Sequence, residues 1–192
     1  TSQDIIDTGL ALRLRRVVEL WDERLAALLK ALGRMAGDHA DLPMAARTYG
    51  QVATPTSFGS VVAGWGRPIL RHRHRLREVS TDLATVSLGG AAGTLSAMGP
   101  EGPEVRAGLA RALGLSDPGA SWHSERDRID AFAGWMAGLA ASLGKMGDDL
   151  VLMAQSGIGE IRIAGAGGSS TMPQKQNPVG PSVPVSYTHL RA

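Results

Sequence analysis

The chain has 192 residues, of which 43% are hydrophobic, 20% are charged and 4% are aromatic. This composition provides enough apolar side chains for a packed core and excludes a disordered chain. Cysteine is absent from the sequence, which excludes disulfide bonds, cysteine-ligated metal sites and thiol catalysis. The formal net charge of +2 is too small a basic excess to indicate a nucleic-acid-binding protein.

The sequence also bears on location. No window approaches the ~18 uninterrupted apolar residues of a membrane-spanning helix, so we expect no contact with a membrane. Residues 1–4 do not form a basic segment leading into an apolar one, so no signal peptide is expected. Together with the absence of cysteine, this favours a cytoplasmic protein. The sequence does not begin with methionine, so its first residue need not be the start of the gene product.

Apolar residues at helical spacing predict four helices and no β-strand. The helices are expected at about residues 5–35, 68–86, 104–113 and 124–155. Stretches rich in glycine and proline separate them and should form turns. Because the first and last helices are unusually long, we predict an all-α fold dominated by long antiparallel helices.

The stretch most informative about function is residues 168–178, which reads Gly-Ser-Ser-Thr-Met-Pro-Gln-Lys-Gln-Asn-Pro. It is a loop pinned by two prolines that offers hydroxyls, a lysine and an amide to an anion. Residue chemistry alone leaves it open between a flexible surface loop and a carboxylate site. The pattern Gly-Ser-Ser-x-Met-Pro-x-Lys-x-Asn-Pro, with all eight fixed positions present, resembles the signature loop of the fumarase/aspartase superfamily.

This resemblance implies roles for three residues of the loop. Ser169 is expected to move a proton at the carbon next to a substrate carboxylate, and Lys175 and Asn177 are expected to bind carboxylate. The loop should close over the substrate. The superfamily includes argininosuccinate lyase, adenylosuccinate lyase and the bacterial 3-carboxy-cis,cis-muconate cycloisomerases. The resemblance implies that neither a metal nor an organic cofactor is needed.

Two further segments resemble elements of the same superfamily. Residues 1–8 resemble its Thr-Ser-x-Asp…Asp-Thr element, in which hydroxyls bind a substrate carboxylate at the start of a long helix. Residues 47–55 resemble its Arg-Thr-His-x-Gln-x-Ala-x-Pro element. The substrate-binding residues implied by these two elements are Thr1, Ser2, Gln3, Thr48 and Gln51.

Tyr49 departs from the lyases of the superfamily, which carry a histidine at this position. It is more similar to the cycloisomerases, which carry an aromatic residue there. A cycloisomerase adds the substrate's own ionised carboxylate across a double bond, so it needs a proton only at carbon and one general acid suffices. We therefore interpret Tyr49 as a wall of the substrate site. Because a tyrosine hydroxyl can also donate a proton, an adenylosuccinate- or argininosuccinate-type lyase stays open, as does a non-catalytic helical scaffold.

Residues 122–128, at the start of the last long helix, are also similar to cycloisomerase sequence. His123 and Arg126 are candidate substrate contacts by this resemblance, and a helix cap and a surface ion pair are equally open for them. The basic stretch at residues 71–75 is assigned to neither metal nor nucleic acid. Its two histidines are two positions apart and do not share a helix face, so we expect a solvated surface.

The resemblance covers about residues 1–179 and implies the central helical-bundle domain of the superfamily, expected here at residues 1–180. Superfamily members are about twice as long, with flanking helical domains, and are homotetramers whose sites gather motifs from different subunits. We therefore expect a fragment, inactive by itself, of a homotetrameric enzyme that acts on a small tricarboxylate. Pro181 and Pro184 interrupt the helix expected after the loop, so residues 181–192 are predicted to be a non-native or disordered tail.

Overall fold

The computed structural model describes residues 1–164, 167–172 and 174–183. Its helices are α1 (Ser2–Asp38), α2 (Phe58–Leu83), α3 (Gly102–Leu113) and α4 (Asp127–Met153). Its strands are β1 (Pro43–Thr48), β2 (Gln51–Ser57), β3 (Gly167–Gly168) and β4 (Gln176–Asn177). The prediction of a helical fold dominated by long helices is confirmed, and each predicted helix corresponds to an observed one. In the part of the chain that the structure describes, no helix is long and apolar enough to cross a membrane.

The prediction that no strand is present was wrong at residues 43–57, which form an antiparallel hairpin. The pairing ends with Thr48 opposite Gln51, and the two-residue turn between them is Tyr49-Gly50. Both turn residues have positive φ, 51° and 72°, as a type I′ hairpin turn requires. No position in either strand is fully buried, so the alternation of apolar and polar residues that marks a half-buried strand is missing from the sequence.

The chain divides into two compact units, residues 1–31 with 70–135 and residues 32–69 with 136–192. In the first unit, α2 runs antiparallel to α1, because Thr8 bonds to Ser87 just after α2 while Asp22 pairs with Arg73. Trp21 of α1 meets a tryptophan of α4 edge-on, with ring centroids 6.0 Å apart. The buried apolar side chains of this unit are Ala11, Leu25, Leu76, Leu83, Val86, Leu95, Ala110, Leu115, Trp122, Phe132 and Trp135.

His72 is buried, with 6% of its surface exposed, so the expectation of a solvated surface was wrong for this residue. It lies three positions after Ile69 and four before Leu76, and therefore on the buried face of α2. Its carbonyl oxygen accepts a hydrogen bond from Trp135 Nε1 at 2.8 Å. The rest of the basic stretch is exposed or half-buried, as expected.

In the second unit, aromatic and apolar side chains join the end of α1, the start of α2 and most of α4. Phe58 lies against His39 with ring centroids 5.4 Å apart and meets Trp65 edge-on. Trp65 Nε1 donates to Asp149 Oδ2 at 2.6 Å. The buried apolar side chains here are Leu32, Val62, Trp65, Ile69, Leu139 and Met153.

The first turn of α2 packs closely on the end of α1 at Gly59. A Cβ at this position would lie 2.4 Å from Ala36 O and 2.8 Å from His39 O, both of them backbone atoms that cannot rotate away. We expect Gly59→Ala to lower the free energy of unfolding by about 2 kcal/mol, because overpacking of this kind costs ~1–3 kcal/mol. Urea unfolding measures the change.

Gly33→Ala is the matched control for this prediction. It lies on α1, and nothing lies within 4 Å of the added Cβ. The control should raise stability by about 0.5–1 kcal/mol, because alanine favours a helix interior. A Gly59→Ala variant as stable as this control would show that the contact is looser than the structure has it.

Residues 179–183 continue from β4 as a short helical segment. The predicted tail at residues 181–192 lies mostly outside the described residues, which end at residue 183. The boundary at residue 180 and the nature of the tail therefore stay predictions.

Candidate functional site

Asp4, in the first turn of α1, is a buried carboxylate with 2% of its surface exposed. The N–H groups of Gly89 and Gly90 donate to its Oδ1 and Oδ2 at 2.9 and 3.2 Å. His123 Nε2 lies 3.0 Å from Oδ1, and Thr1 Oγ1 donates to Oδ2 at 3.2 Å. Burial raises the pKa of Asp4, and hydrogen bonds from the backbone N–H groups of Gly89 and Gly90 lower it.

Asp7, three residues further along the same helix, is equally buried and forms a bidentate ion pair. Arg126 Nη1 and Nη2 donate to its two oxygens at 2.9 and 3.0 Å, and the guanidinium lies 5.5 Å from the centre of the Trp122 ring. Burial raises the pKa of Asp7. Hydrogen bonds from Arg126 and Gln3, with the charges of Arg126 and His123, more than offset this effect and hold the pKa below its usual value.

The structure thus places both residues predicted near the start of α4 against carboxylates of the chain itself. Arg126 uses its two terminal nitrogens on Asp7, and His123 faces Asp4. Their role as substrate contacts stays a prediction, and the contacts observed join them to the first two turns of α1. Ser2 is exposed at the N-terminus of this 37-residue helix, where free N–H groups and the helix dipole favour an anion.

The contribution of Asp7 to stability should disappear in acid. Its folded pKa is lowered, so the contribution is complete above the unfolded pKa of about 3.9 and is lost as pH falls through the folded value. Asp7→Asn should lower the urea midpoint near neutral pH, and the difference from the parent chain should shrink as the pH falls below about 4. The exposed Asp148→Asn is the charge-matched control. A difference that stays constant down to about pH 2 would contradict this assignment.

In the second unit, the hairpin turn presents a fully exposed tyrosine. The relative exposure of Tyr49 is 103%, and its φ of 51° is uncommon for a residue other than glycine. The predicted substrate contacts Thr48 and Gln51 flank it as the last pair of the hairpin and are also exposed. Arg47, next to this pair, bonds Glu160 Oε1 at 2.9 Å. A strained and exposed tip of this kind is a candidate functional position.

The signature loop is closed at its base by a short antiparallel ladder. Gly167 pairs with Asn177 and Gly168 with Gln176. Asn177 is half-buried within this ladder, whereas Lys175 is exposed. The backbone on both sides of the loop is therefore paired, and the segment between the two strands carries the exposed polar groups.

Ser169 stands directly after β3, at the start of the loop. Its Oγ accepts the Met172 N–H at 3.2 Å and lies 3.4 Å from Thr171 Oγ1. Either hydroxyl can be the donor between Ser169 and Thr171, so the Ser169 hydroxyl is able to donate its hydrogen to an acceptor. The proline at position 173 lies outside the described residues.

An open cleft of about 390 Å³ lies beside the base of the signature loop in the second unit. Its walls include Gln155, Glu160, Arg162 and Gln176. One arginine and one glutamate do not define a site for a multiply charged anion, so the cleft by itself does not identify the substrate site. In the described ranges, no group of three or more acidic or histidine side chains is placed to hold a metal ion.

The predicted site residues fall into one group in each unit. The first unit carries Thr1, Ser2, Gln3, His123 and Arg126, and the second carries Thr48, Tyr49, Gln51, Ser169, Lys175 and Asn177. Sequence reasoning missed that Asp4 and Asp7 are both buried and that each is bonded to residues distant in the sequence. Their spacing to each other and to the buried Ala11 places all three on the core-facing side of α1, which was an available signal. The contact of Glu160 with the hairpin left no sequence signal that we can identify.

Comparison with known proteins defines the class. A family model described as lyase matches residues 1–188, so the chain belongs to this lyase family. The predicted membership of the fumarase/aspartase superfamily is confirmed.

The chain is 46% identical over 186 residues to 3-carboxy-cis,cis-muconate cycloisomerase of Pseudomonas aeruginosa, covering 95% of this chain and 40% of that protein. The crystal structure of 3-carboxy-cis,cis-muconate lactonizing enzyme from Pseudomonas putida matches with a TM-score of 0.90 and 40% identity, over 98% of this chain and 42% of that one. N-acetyl-S-(2-succino)cysteine lyase of Dickeya dadantii is 37% identical, over 93% of this chain and 40% of that protein. The chain therefore spans about 40% of the length of these relatives.

Proposed function

We propose that this chain contributes the catalytic residues of a 3-carboxy-cis,cis-muconate cycloisomerase, an enzyme of protocatechuate breakdown. The observation that carries the proposal is the sequence identity between this chain and relatives of that name. The match extends over nearly all of this chain's length. Tyr49 at the hairpin tip also supports the proposal. By resemblance, the lyases of the superfamily carry a histidine at this position, whereas the cycloisomerases carry an aromatic residue.

In the proposed reaction, one substrate carboxylate attacks an alkene carbon and forms the C–O bond of a lactone. The π-electron pair moves to the adjacent carbon and is delocalised into a neighbouring carboxylate as an enediolate. Ser169 Oγ then delivers its proton to that carbon, and solvent restores the proton of the serine. The groups proposed to stabilise the enediolate and bind the other carboxylates are Thr1, Ser2, Gln3, Thr48, Gln51, Lys175 and Asn177.

The proposal includes a homotetramer in which each site gathers motifs from different subunits. A fully exposed Tyr49, flanked by exposed Thr48 and Gln51, supports this arrangement because a hairpin tip of this kind has surface to offer a second subunit. The partner molecule is a small tricarboxylate. A cytoplasmic location is part of the same proposal, and it is supported by the absence of cysteine.

The test is a lactonisation assay on a chimera in which residues 1–180 replace the matching segment of the Pseudomonas putida enzyme. Ring closure consumes one alkene of a conjugated diene, so loss of ultraviolet absorbance measures turnover. We expect the chimera to convert 3-carboxy-cis,cis-muconate. We expect the 192-residue chain assayed alone to be inactive.

Two outcomes would overturn the proposal. A chimera that cleaves adenylosuccinate or argininosuccinate in place of lactonisation would identify a lyase, and Tyr49→His should then increase that activity. A folded chimera of tetrameric mass that acts on none of these substrates would identify a non-catalytic scaffold. In a cycloisomerase, Tyr49→His should produce no lyase activity.

A further inference from the structure

We propose that Asp4 is a positioning residue that fixes the first turn of α1, and with it Ser2 and the free N–H groups of that turn, for binding a substrate carboxylate. The inference rests on the proposed function for the identity of the substrate. The arrangement that carries it lies wholly within the first unit and does not depend on activity.

The hydrogen bonds of Asp4 show that it acts through other groups. Oδ1 is engaged by Gly89 N–H and His123 Nε2, and Oδ2 by Gly90 N–H and Thr1 Oγ1. With 2% of the side chain exposed, neither oxygen is open to a substrate. A carboxylate satisfied on both oxygens is suited to hold its neighbours in place rather than to move a proton.

The contacts of Asp4 tie two distant parts of the chain to the start of one helix. Gly89 and Gly90 lie 85 and 86 residues further along the chain, and His123 lies 119 residues further. The backbone at Gly89 is closely packed, because a Cβ on this residue would lie 2.5 Å from Ser121 Oγ. The residues that bond Asp4 therefore have little room to shift, and they hold the first turn of α1 in place.

Two further anchors follow within the next turn. Asp7 receives both arms of Arg126, and Thr8 Oγ1 both donates to Ser87 O at 2.9 Å and accepts Ser87 N–H at 3.0 Å. Asp4 is the anchor nearest the end of the helix. The other two anchors lie in the following turn, so loss of Asp4 should let the turn that carries Ser2 fray while the rest of α1 stays folded.

Fraying of this turn should weaken substrate binding more than it slows the chemical step, because the proposed proton donor, Ser169, lies elsewhere in the sequence. In the chimera, Asp4→Asn should raise KM about 10-fold while kcat changes less than about 3-fold. Hydrogen exchange measured by mass spectrometry on peptides covering residues 1–12 should be about 10-fold faster.

Asp22→Asn is the matched control. Asp22 lies on the same helix, 18 residues after Asp4, and is likewise a hydrogen-bonded aspartate. It accepts two hydrogen bonds from Arg73 at 2.7 and 2.9 Å. Asp22→Asn should lower Tm without changing KM or the exchange of residues 1–12. Asp7→Asn is a second variant, which keeps the test decisive if Asp4→Asn does not fold. It should raise KM and speed the exchange of residues 1–12 by smaller factors than Asp4→Asn.

The outcomes separate this inference from the proposed function. Faster exchange at residues 1–12 together with a raised KM, in Asp4→Asn and not in Asp22→Asn, supports the positioning role. Equal effects of the two variants on KM, or unchanged exchange in Asp4→Asn, overturn it. If the parent chimera has no activity, the proposed function fails, and the exchange measurement alone still decides whether Asp4 holds the turn.

Discussion

Replacing Ser169 with alanine is expected to lower kcat by about 10²–10⁴-fold and to leave KM within about 3-fold of the parent value. The reason is the place of the hydroxyl in the reaction. Oγ accepts the Met172 N–H at 3.2 Å, and in the proposed reaction its hydroxyl hydrogen is delivered to the carbanion. Alanine removes the proton donor but retains Lys175 and Asn177, to which we assign carboxylate binding. Lactonisation by the chimera measures both constants.

Ser170→Ala is the control, since it removes the same group one position along the same exposed loop. We expect the control to retain turnover within about 3-fold of the parent, because a side chain adjacent to the general acid takes no part in the proton transfer. If Ser169→Ala and Ser170→Ala reduce kcat equally, the effect belongs to the loop and not to the hydroxyl. Turnover of Ser169→Ala near the parent rate would remove Ser169 from its proposed role.

The long helices could be predicted because their apolar periodicity persists over many turns, whereas the start of α2 could not. The prediction began this helix near Pro68, which is compatible with a first turn, and assigned the glycine-rich residues before it to turns. The helix begins at Phe58 and contains Pro68 in its interior. Burial of Val62 and Trp65 explains the difference, because packing of these side chains stabilises helix that local composition disfavours.

The candidate site divides in the same way. Ser169, Lys175 and Asn177 could be proposed as site residues because the single loop that carries them resembles the signature loop of the superfamily. Gly89 and His123, which bond Asp4, and Arg126, which bonds Asp7, lie more than 80 residues away along the chain, and only the fold brings them together. A buried aspartate near the start of a helix is also indistinguishable in sequence from an exposed helix cap.

Removing the guanidinium of Arg126 should lower the free energy of unfolding by about 3 kcal/mol near neutral pH. Arg126→Met retains much of the aliphatic side chain and leaves the charge of Asp7, which is 2% exposed, without its bidentate partner. Breaking a buried pair from one side costs ~3–5 kcal/mol. The lower end applies because the Arg126 side chain is itself 41% exposed, so water reaches part of the pair. Urea unfolding of the chain provides the measurement.

The pair formed by Asp22 and Arg73 tests whether burial is the cause. Its two side chains are 33% and 26% exposed, so Arg73→Met should cost only about 1 kcal/mol. Adding Asp7→Asn to Arg126→Met should recover about 2 kcal/mol, because the amide carries no charge to leave buried. Acid should have the same effect as the second substitution. Once Asp7 is protonated, Arg126→Met and the parent chain should converge in stability. A loss of stability that persists in acid would assign the role of Arg126 to packing against Trp122 and not to its charge.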